Sequence, residues 1–138
     1  VDYNEFERMR ANPTTKVLDC RSAAEYKGEY IKQGAYLAGH IDGAVNICYS
    51  NSVERISDGN LRIKSHSELF DAYSDFAQPD DTILIYCQSG VRSAHTLMVL
   101  REILNYKHVY NYDGSWIEWS YRNQSLPSSS AESNDKIL

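Results

Sequence analysis

The stretch Thr82-Ile83-Leu84-Ile85-Tyr86-Cys87-Gln88-Ser89-Gly90-Val91-Arg92-Ser93 decides how this chain is read. An apolar run of strand type, Ile83 to Tyr86, stops at a cysteine. Beyond Arg92, the apolar residues Ala94, Leu97, Met98, Leu100, Ile103 and Leu104 follow mostly helical spacing. Cys87 is therefore expected in a strand-to-helix turn. In an open parallel sheet ligands bind at the carboxyl ends of the strands, and a following helix offers unpaired N–H groups and a positive dipole end to an anion. Four residues separate Cys87 from Arg92, and Gly90 among them can adopt backbone angles that other residues avoid, so successive amides can turn inward as an anion-binding nest. A free cysteine titrates near ~8.5, and a helix N-terminus with an arginine nearby can bring it to roughly 3.5–7.5. Cys87 is thus the expected nucleophile, with Gln88, Ser89, Gly90, Val91 and Arg92 forming a receptor for an anionic substrate. A lone cysteine at a strand end would read first as buried filler; its combination with Gly90, Arg92 and the turn carries the functional reading.

The 138 residues suit one domain built around one core. A 42% hydrophobic content and eleven tyrosines exclude a mainly disordered chain. The net charge of −5 gives no electrostatic footprint for nucleic acid. Cys20, Cys48 and Cys87 cannot all pair with one another, and none belongs to a C-x-x-C unit, so free thiols and no zinc or other metal are expected. No run approaches the ~20 apolar residues of a membrane span, and no membrane partner is expected. No signal segment opens the chain, but it begins at Val1 without an initiator methionine, as a processed product or an excised piece would. Location stays open, with the cytoplasm slightly favoured over the periplasm or an organelle.

Tyr3, Phe6, Met9 and Arg10 fall at helical spacing until Asn12-Pro13 stops the pattern, which predicts a short amphipathic helix over residues 1–11. Lys16-Val17-Leu18-Asp19 predicts a brief strand. Asp19 and Arg21 would then lie at the same sheet edge as Cys87 if the strands are parallel, followed by a short helix over residues 22–27. Residues 28–39 form a polar connection, and Gly39 and Gly43 bracket a tight turn in which His40 reads as packed rather than catalytic. A strand is expected over residues 45–47. Residues 49–64 read as polar and irregular, with a turn at Ser57-Asp58-Gly59-Asn60. Ser65-x-x-Glu68 matches a capping box, after which Leu69, Tyr73 and Phe76 share one helical face. Gln78-Pro79-Asp80-Asp81 turns into the strand before Cys87. Val109 and Tyr110 mark a further strand, Asp113-Gly114 a turn, and Ser115 the expected N-cap of a last helix whose Trp116 and Trp119 pack on the core. Residues 127–138 are polar and without period, and are expected to form a loose tail.

Taken in this order, the pieces resemble the rhodanese domain over residues 1–126. Val17-Leu18-Asp19-Cys20-Arg21-Ser22 is similar to the family's first strand, Gly39-His40-Ile41-Asp42-Gly43-Ala44-Val45-Asn46 to its glycine-rich turn, and the span from Cys87 to Arg92 to its active-site loop. Tyr112-Asp113-Gly114-Ser115-Trp116-Ile117-Glu118-Trp119 resembles the closing signature of the thiosulfate and mercaptopyruvate sulfurtransferases. The resemblance implies an α/β fold with a central parallel β-sheet flanked by helices on both faces, no cofactor, and transfer of a sulfane sulfur through a Cys87 persulfide. The donor it implies is a small anion such as thiosulfate. The acceptor is cyanide or a thiol, a protein thiol included, and a further rhodanese domain N-terminal to this chain is compatible with it. Arg92 is expected to hold the oxyanion end of the donor. Two positions depart from the tandem-domain enzymes: Glu25 stands where they carry a substrate arginine, and Arg92 stands where their loop ends in threonine.

Two rival readings remain. A cysteine-dependent phosphatase or arsenate reductase also sets a cysteine and an arginine around an anion, but its loop holds five intervening residues where this chain has four. A non-catalytic rhodanese-like regulatory module would be marked most cheaply by loss of the cysteine, and Cys87 is present. Cys20 and Cys48 read as small buried hydrophobes rather than sulfur relays. Asp19 is expected to orient a positive group at the loop mouth, Arg92 among the candidates, and Glu25 to repel an anionic donor if it lies near the pocket.

Overall fold

The computed structural model describes residues 1–124, so the expected tail at residues 127–138 lies outside the described residues. Four strands, β1 (Lys16–Asp19), β2 (Val45–Asn46), β5 (Thr82–Tyr86) and β6 (His108–Asn111), form one sheet in the order β2-β1-β5-β6. All three pairings are parallel, with Asp19 opposite Tyr86 and Leu18 opposite Val45. Parallel neighbours require long crossovers, and helices on both faces supply them.

The strands alternate between two cores because successive side chains point to opposite faces. Leu18, Ile83, Ile85 and Val109 face one core, with Leu69 and Tyr73 from α3 (His66–Ser74) and Val99 and Leu100 from the helix that follows β5. Val17, Leu84 and Tyr86 face the other, with Phe6 from α1 (Tyr3–Arg10) and Trp116 and Trp119 from α5 (Ser115–Arg122). The expected helices on both faces are therefore present. Both strands at the sheet centre are buried on both sides, which explains the continuous apolar run at Ile83 to Tyr86.

Local signals start the helices. Asp2, Ser22 and Ser65 each accept a hydrogen bond from the backbone of a glutamate three residues on, whose carboxylate reaches back, giving capping boxes for α1, α2 (Ala23–Lys27) and α3. After β5 the helix α4 (Val91–Met98) passes into a π-helical segment, Val99–Ile103. Its buried side differs from the apolar pattern: Ala94 is exposed, while Ser93 and Thr96 are fully buried. Ser93 is explained by its position at the Cys87 loop, where its hydroxyl reaches Cys87 and Asn111, whereas the buried Thr96 hydroxyl has no hydrogen-bond partner among the described residues.

Residues 49–64 are ordered where an irregular segment was expected. Tyr49–Ser52 makes a 3₁₀ turn, and β3 (Val53–Ser57) pairs antiparallel with β4 (Asn60–Ile63). Asp58-Gly59, with Gly59 at φ 73°, closes this hairpin. Its apolar residues Ile56, Leu61 and Ile63 are exposed, so no buried face imposed the alternation that marks a strand.

Candidate active site

Cys87 follows the last residue of β5 and is 1% exposed. Its sulfur accepts a hydrogen bond from the Gly90 N–H at 3.1 Å, and the Ser93 hydroxyl lies within donating reach at 3.4 Å. Burial pushes the thiol pKa up, yet the net direction is down, because the Ser93 hydroxyl and the backbone N–H groups of Ser93, Ser89 and Gly90 all favour the charged sulfur.

The first turn of α5 sets the direction of the Ser89 amide. The Trp116 N–H donates to the Cys87 carbonyl at 2.9 Å and the Ile117 N–H to the Gln88 carbonyl at 3.1 Å. In a trans peptide the C=O and the next N–H point in opposite directions, so the Gln88 carbonyl drawn outward to α5 leaves the Ser89 amide facing the sulfur side. The free N–H groups at the start of α5 thereby find acceptors, and the loop gains a nest. Gly90, the residue before α4, has φ 93°, and a Cβ there would lie 3.1 Å from the Asp113 carbonyl oxygen. Asn111, at the end of β6, donates from Nδ2 to the Gly90 carbonyl at 3.1 Å and fixes this turn from the far side.

Ser115 does not cap α5 as expected. It stands inside the helix in a left-handed conformation, φ 53°, and its hydroxyl donates to the Tyr112 carbonyl at 2.8 Å while accepting from the Cys87 N–H at 3.2 Å. A buried amide that would otherwise lack a partner is satisfied there. Among the other loop residues, Gln88 is buried, and its Nε2 lies 3.3 Å from the carbonyl oxygens of both Lys32 and Gln33, tying the loop to the 28–39 connection. Ser89 is exposed, and Val91 is 74% exposed at the mouth of the loop.

Arg92 points to Glu25. Its Nη1 and Nη2 donate to the two carboxylate oxygens at 2.7 and 2.9 Å. Burial opposes the Glu25 charge, but Arg92 and then the Ser22 cap outweigh it and bring the carboxyl down to about 2. The expectation that Glu25 repels an anionic donor is therefore corrected: its charge is neutralised by Arg92, and the side chain is buried. Arg92 in turn is not a free cation waiting for an oxyanion.

The expected link from Asp19 to Arg92 is also corrected. Asp19 is fully buried and accepts from Arg21 Nε at 3.0 Å, Arg21 Nη2 at 2.7 Å and the Tyr86 hydroxyl at 2.8 Å. Arg21 also donates to the Gly39 carbonyl and lies over the Trp116 ring at 4.7 Å. Asp19 and Arg21 thus support the side of the site on which α5 is seated. Two residues apart, they meet before any longer contact can form. His40 stacks on Tyr26 at 3.7 Å between ring centroids, with Nδ1 2.8 Å from the Tyr26 carbonyl oxygen. Cys20 is fully buried, with its thiol pushed up by burial, while Cys48 is only half-buried and lies 3.2 Å from the Ser50 hydroxyl, so the expectation of burial fails for Cys48.

Ser93, Asn111 and Ser115 were missed by the sequence reading. Ser93 was legible in principle, as a polar residue interrupting the buried stripe of a helix just after the nucleophile. Asn111 carries no local signal, because Gly90 and Ser93 are far along the chain, and Ser115 was read only as a cap because its bond to the Cys87 N–H spans 28 residues.

Residues 2–122 match the rhodanese-like domain. The chain belongs to the rhodanese family. It is 43% identical over 110 residues to the sulfur carrier protein TtuD of Thermus thermophilus, covering 75% of this chain and 37% of that protein. It is 39% identical over 109 residues to a thiosulfate sulfurtransferase of Corynebacterium glutamicum, covering 75% of this chain and 35% of that one. Among solved structures, the 3-mercaptopyruvate sulfurtransferase of Leishmania major superposes with a TM-score of 0.70 at 27% identity, over 86% of this chain and 32% of that chain. This rhodanese chain spans about a third of the length of these relatives.

Proposed function

We propose that this domain is a sulfurtransferase that carries a sulfane sulfur on Cys87. The Cys87 thiolate attacks the outer sulfur of an anionic donor such as thiosulfate; a bond forms between the two sulfurs, the donor's own S–S bond breaks, and its electron pair leaves with sulfite. A thiolate or cyanide then attacks the outer sulfur of the persulfide, and the electron pair of that S–S bond returns to Cys87. The loop stabilises each anionic sulfur through preorganised amides, a form of electrostatic stabilisation.

The observation that carries this reading is the Cys87 sulfur at the floor of the loop, 3.1 Å from the Gly90 N–H, with its ionised form favoured. The relatives named as sulfurtransferases and as a sulfur carrier support the same class. The neutralised Arg92 shifts the weight of donor recognition to the amides and to the loop mouth around Ser89 and Val91.

The test is to incubate the protein with thiosulfate and, separately, with mercaptopyruvate, and to measure the mass of the peptide containing Cys87. A gain of one sulfur on Cys87, lost on addition of cyanide or a thiol, is expected with at least one donor. No gain with either, in a folded protein, would overturn the proposal, and Cys87-dependent hydrolysis of an aryl phosphate would favour the phosphatase rival.

A further inference from the structure

Ser93 has one hydroxyl hydrogen and two acceptors. Its Oγ lies 2.8 Å from Asn111 Oδ1 and 3.4 Å from Cys87 Sγ. The orientation of the Asn111 amide follows from its other end, since Nδ2 donates to the Gly90 carbonyl and leaves Oδ1 to face Ser93. A serine hydroxyl donates only once, so Asn111 and the sulfur compete for it. The winner depends on the charge of the sulfur, because a thiol or the inner sulfur of a persulfide is a weak acceptor and a thiolate a strong one.

We propose that Ser93 and Asn111 are positioning residues that work as a hydrogen-bond rotor, Ser93 donating to Asn111 while the Cys87 sulfur is neutral and turning to the sulfur when it becomes an anion. The inference rests on the sulfur-transfer reading above and extends it to how the loop follows charge through the cycle. When the thiolate attacks a donor, negative charge leaves the inner sulfur for the outer one, and the hydroxyl swings back to Asn111. When an acceptor removes the outer sulfur, the electron pair of the breaking S–S bond returns to Cys87 and the hydroxyl follows it. No proton changes residue; one hydrogen bond changes partner.

The surroundings suit such a device. Among the described residues, Cys20 after β1, held protonated by burial, and Arg92 on α4, paired with Glu25 on α2, are ionisable groups that interact with Cys87. From α5 the loop meets the Ser115 hydroxyl, whose hydrogen goes to Tyr112. The Ser93 hydrogen, by contrast, has both the sulfur and a second acceptor in reach.

The test is a double-mutant comparison of the Cys87 ionisation, read from the pH dependence of alkylation by iodoacetamide with the modified residue identified by mass spectrometry. Ser93→Ala is expected to raise the apparent pKa by about one unit, the scale of a hydrogen bond to an anion. Ser93→Thr, which keeps the hydroxyl, should stay close to the native value. Asn111→Leu removes the competing acceptor together with the tie to the Gly90 carbonyl; loss of the tie acts in both backgrounds, so the pKa with Ser93 present should end lower, relative to its parent, than the same change leaves it in the Ser93→Ala background. An equal shift in both backgrounds, or an unchanged pKa in Ser93→Ala, would overturn the rotor. Should Asn111→Leu not fold, Asn111→Ala serves in the same comparison. Because alkylation needs no sulfur donor, failure of sulfur loading with intact coupling would refute the proposed function and leave the rotor standing.

Discussion

Arg92 and Glu25, 67 residues apart, grip each other through two parallel hydrogen bonds of 2.7 and 2.9 Å, joining the first turn of α4 to the first turn of α2. The pair is bidentate, and Glu25 is 4% exposed by side chain against 21% for Arg92. Its role follows from this geometry: it clamps the arginine end of the Cys87 loop to the helix after β1. Glu25→Gln leaves a partly buried guanidinium without its counter-charge, and is expected to cost about 2 kcal/mol, below the ~3–5 kcal/mol of a fully buried pair because Arg92 keeps some solvent. Denaturant unfolding of the single variants and of Glu25→Gln/Arg92→Met checks this, since the double variant should recover part of the loss. Glu25→Arg would set two cations together and is expected to lose stability, not to improve binding of an anionic donor.

The same pair sets an acid limit. The Glu25 carboxyl is lowered from 4.5 to about 2 on folding, so its contribution is fully present above pH ~4.5 and is lost as the pH falls from there through about 2. Native protein and Glu25→Gln should therefore differ in melting temperature at neutral pH and converge as the pH drops through that window. A constant difference down to the lowest pH would show that Glu25 does not ionise differently in the folded state.

Cys87→Ser is expected to fold normally, because the site is polar and the hydroxyl fits the same hydrogen bonds, and to take up no sulfur. Cys20→Ser places a hydroxyl in a fully buried apolar cluster and should lose stability by about 1–3 kcal/mol while still loading sulfur on Cys87. Cys48→Ser should change neither stability nor loading by much, its sulfur being half-exposed. Peptide mass after thiosulfate treatment separates the three outcomes.

Gly90→Ala combines a positive φ with a Cβ 3.1 Å from a backbone oxygen that cannot move away easily. A loss of about 1–2 kcal/mol in stability is expected, together with a higher Cys87 pKa because the Gly90 amide is displaced from the sulfur. Alkylation rates across pH 6–9 would register the second effect even where the first is small.

Ser115→Ala removes the acceptor of the Cys87 N–H inside a buried turn. An unsatisfied buried amide costs about 1–3 kcal/mol. The variant is expected to unfold at lower denaturant, and hydrogen exchange at the Cys87 amide should speed up more than at strand β1.

The local elements of this protein were legible from the residues alone. The apolar run before Cys87 marks a strand buried on both faces, the Ser65-x-x-Glu68 box starts α3, and the glycine after Cys87 permits the tight turn into α4. These signals are local: burial of one face imposes a period, and a cap needs residues three apart. The position of Cys87 was legible for the same reason, since its place at a strand end is written in its immediate neighbours. Only the tertiary structure decided which polar groups meet. Asp19 is taken by Arg21 and Tyr86, Glu25 by Arg92, Ser93 by Asn111, and the loop carbonyls by the amides of α5. No hydrophobic period encodes such pairings, because a charged or hydroxyl side chain can be satisfied equally well by water, by a neighbour or by a residue brought close through the sheet. The hairpin of β3 and β4 was missed for a related reason: its apolar side chains face solvent, so the strands form without the buried face that makes a strand readable.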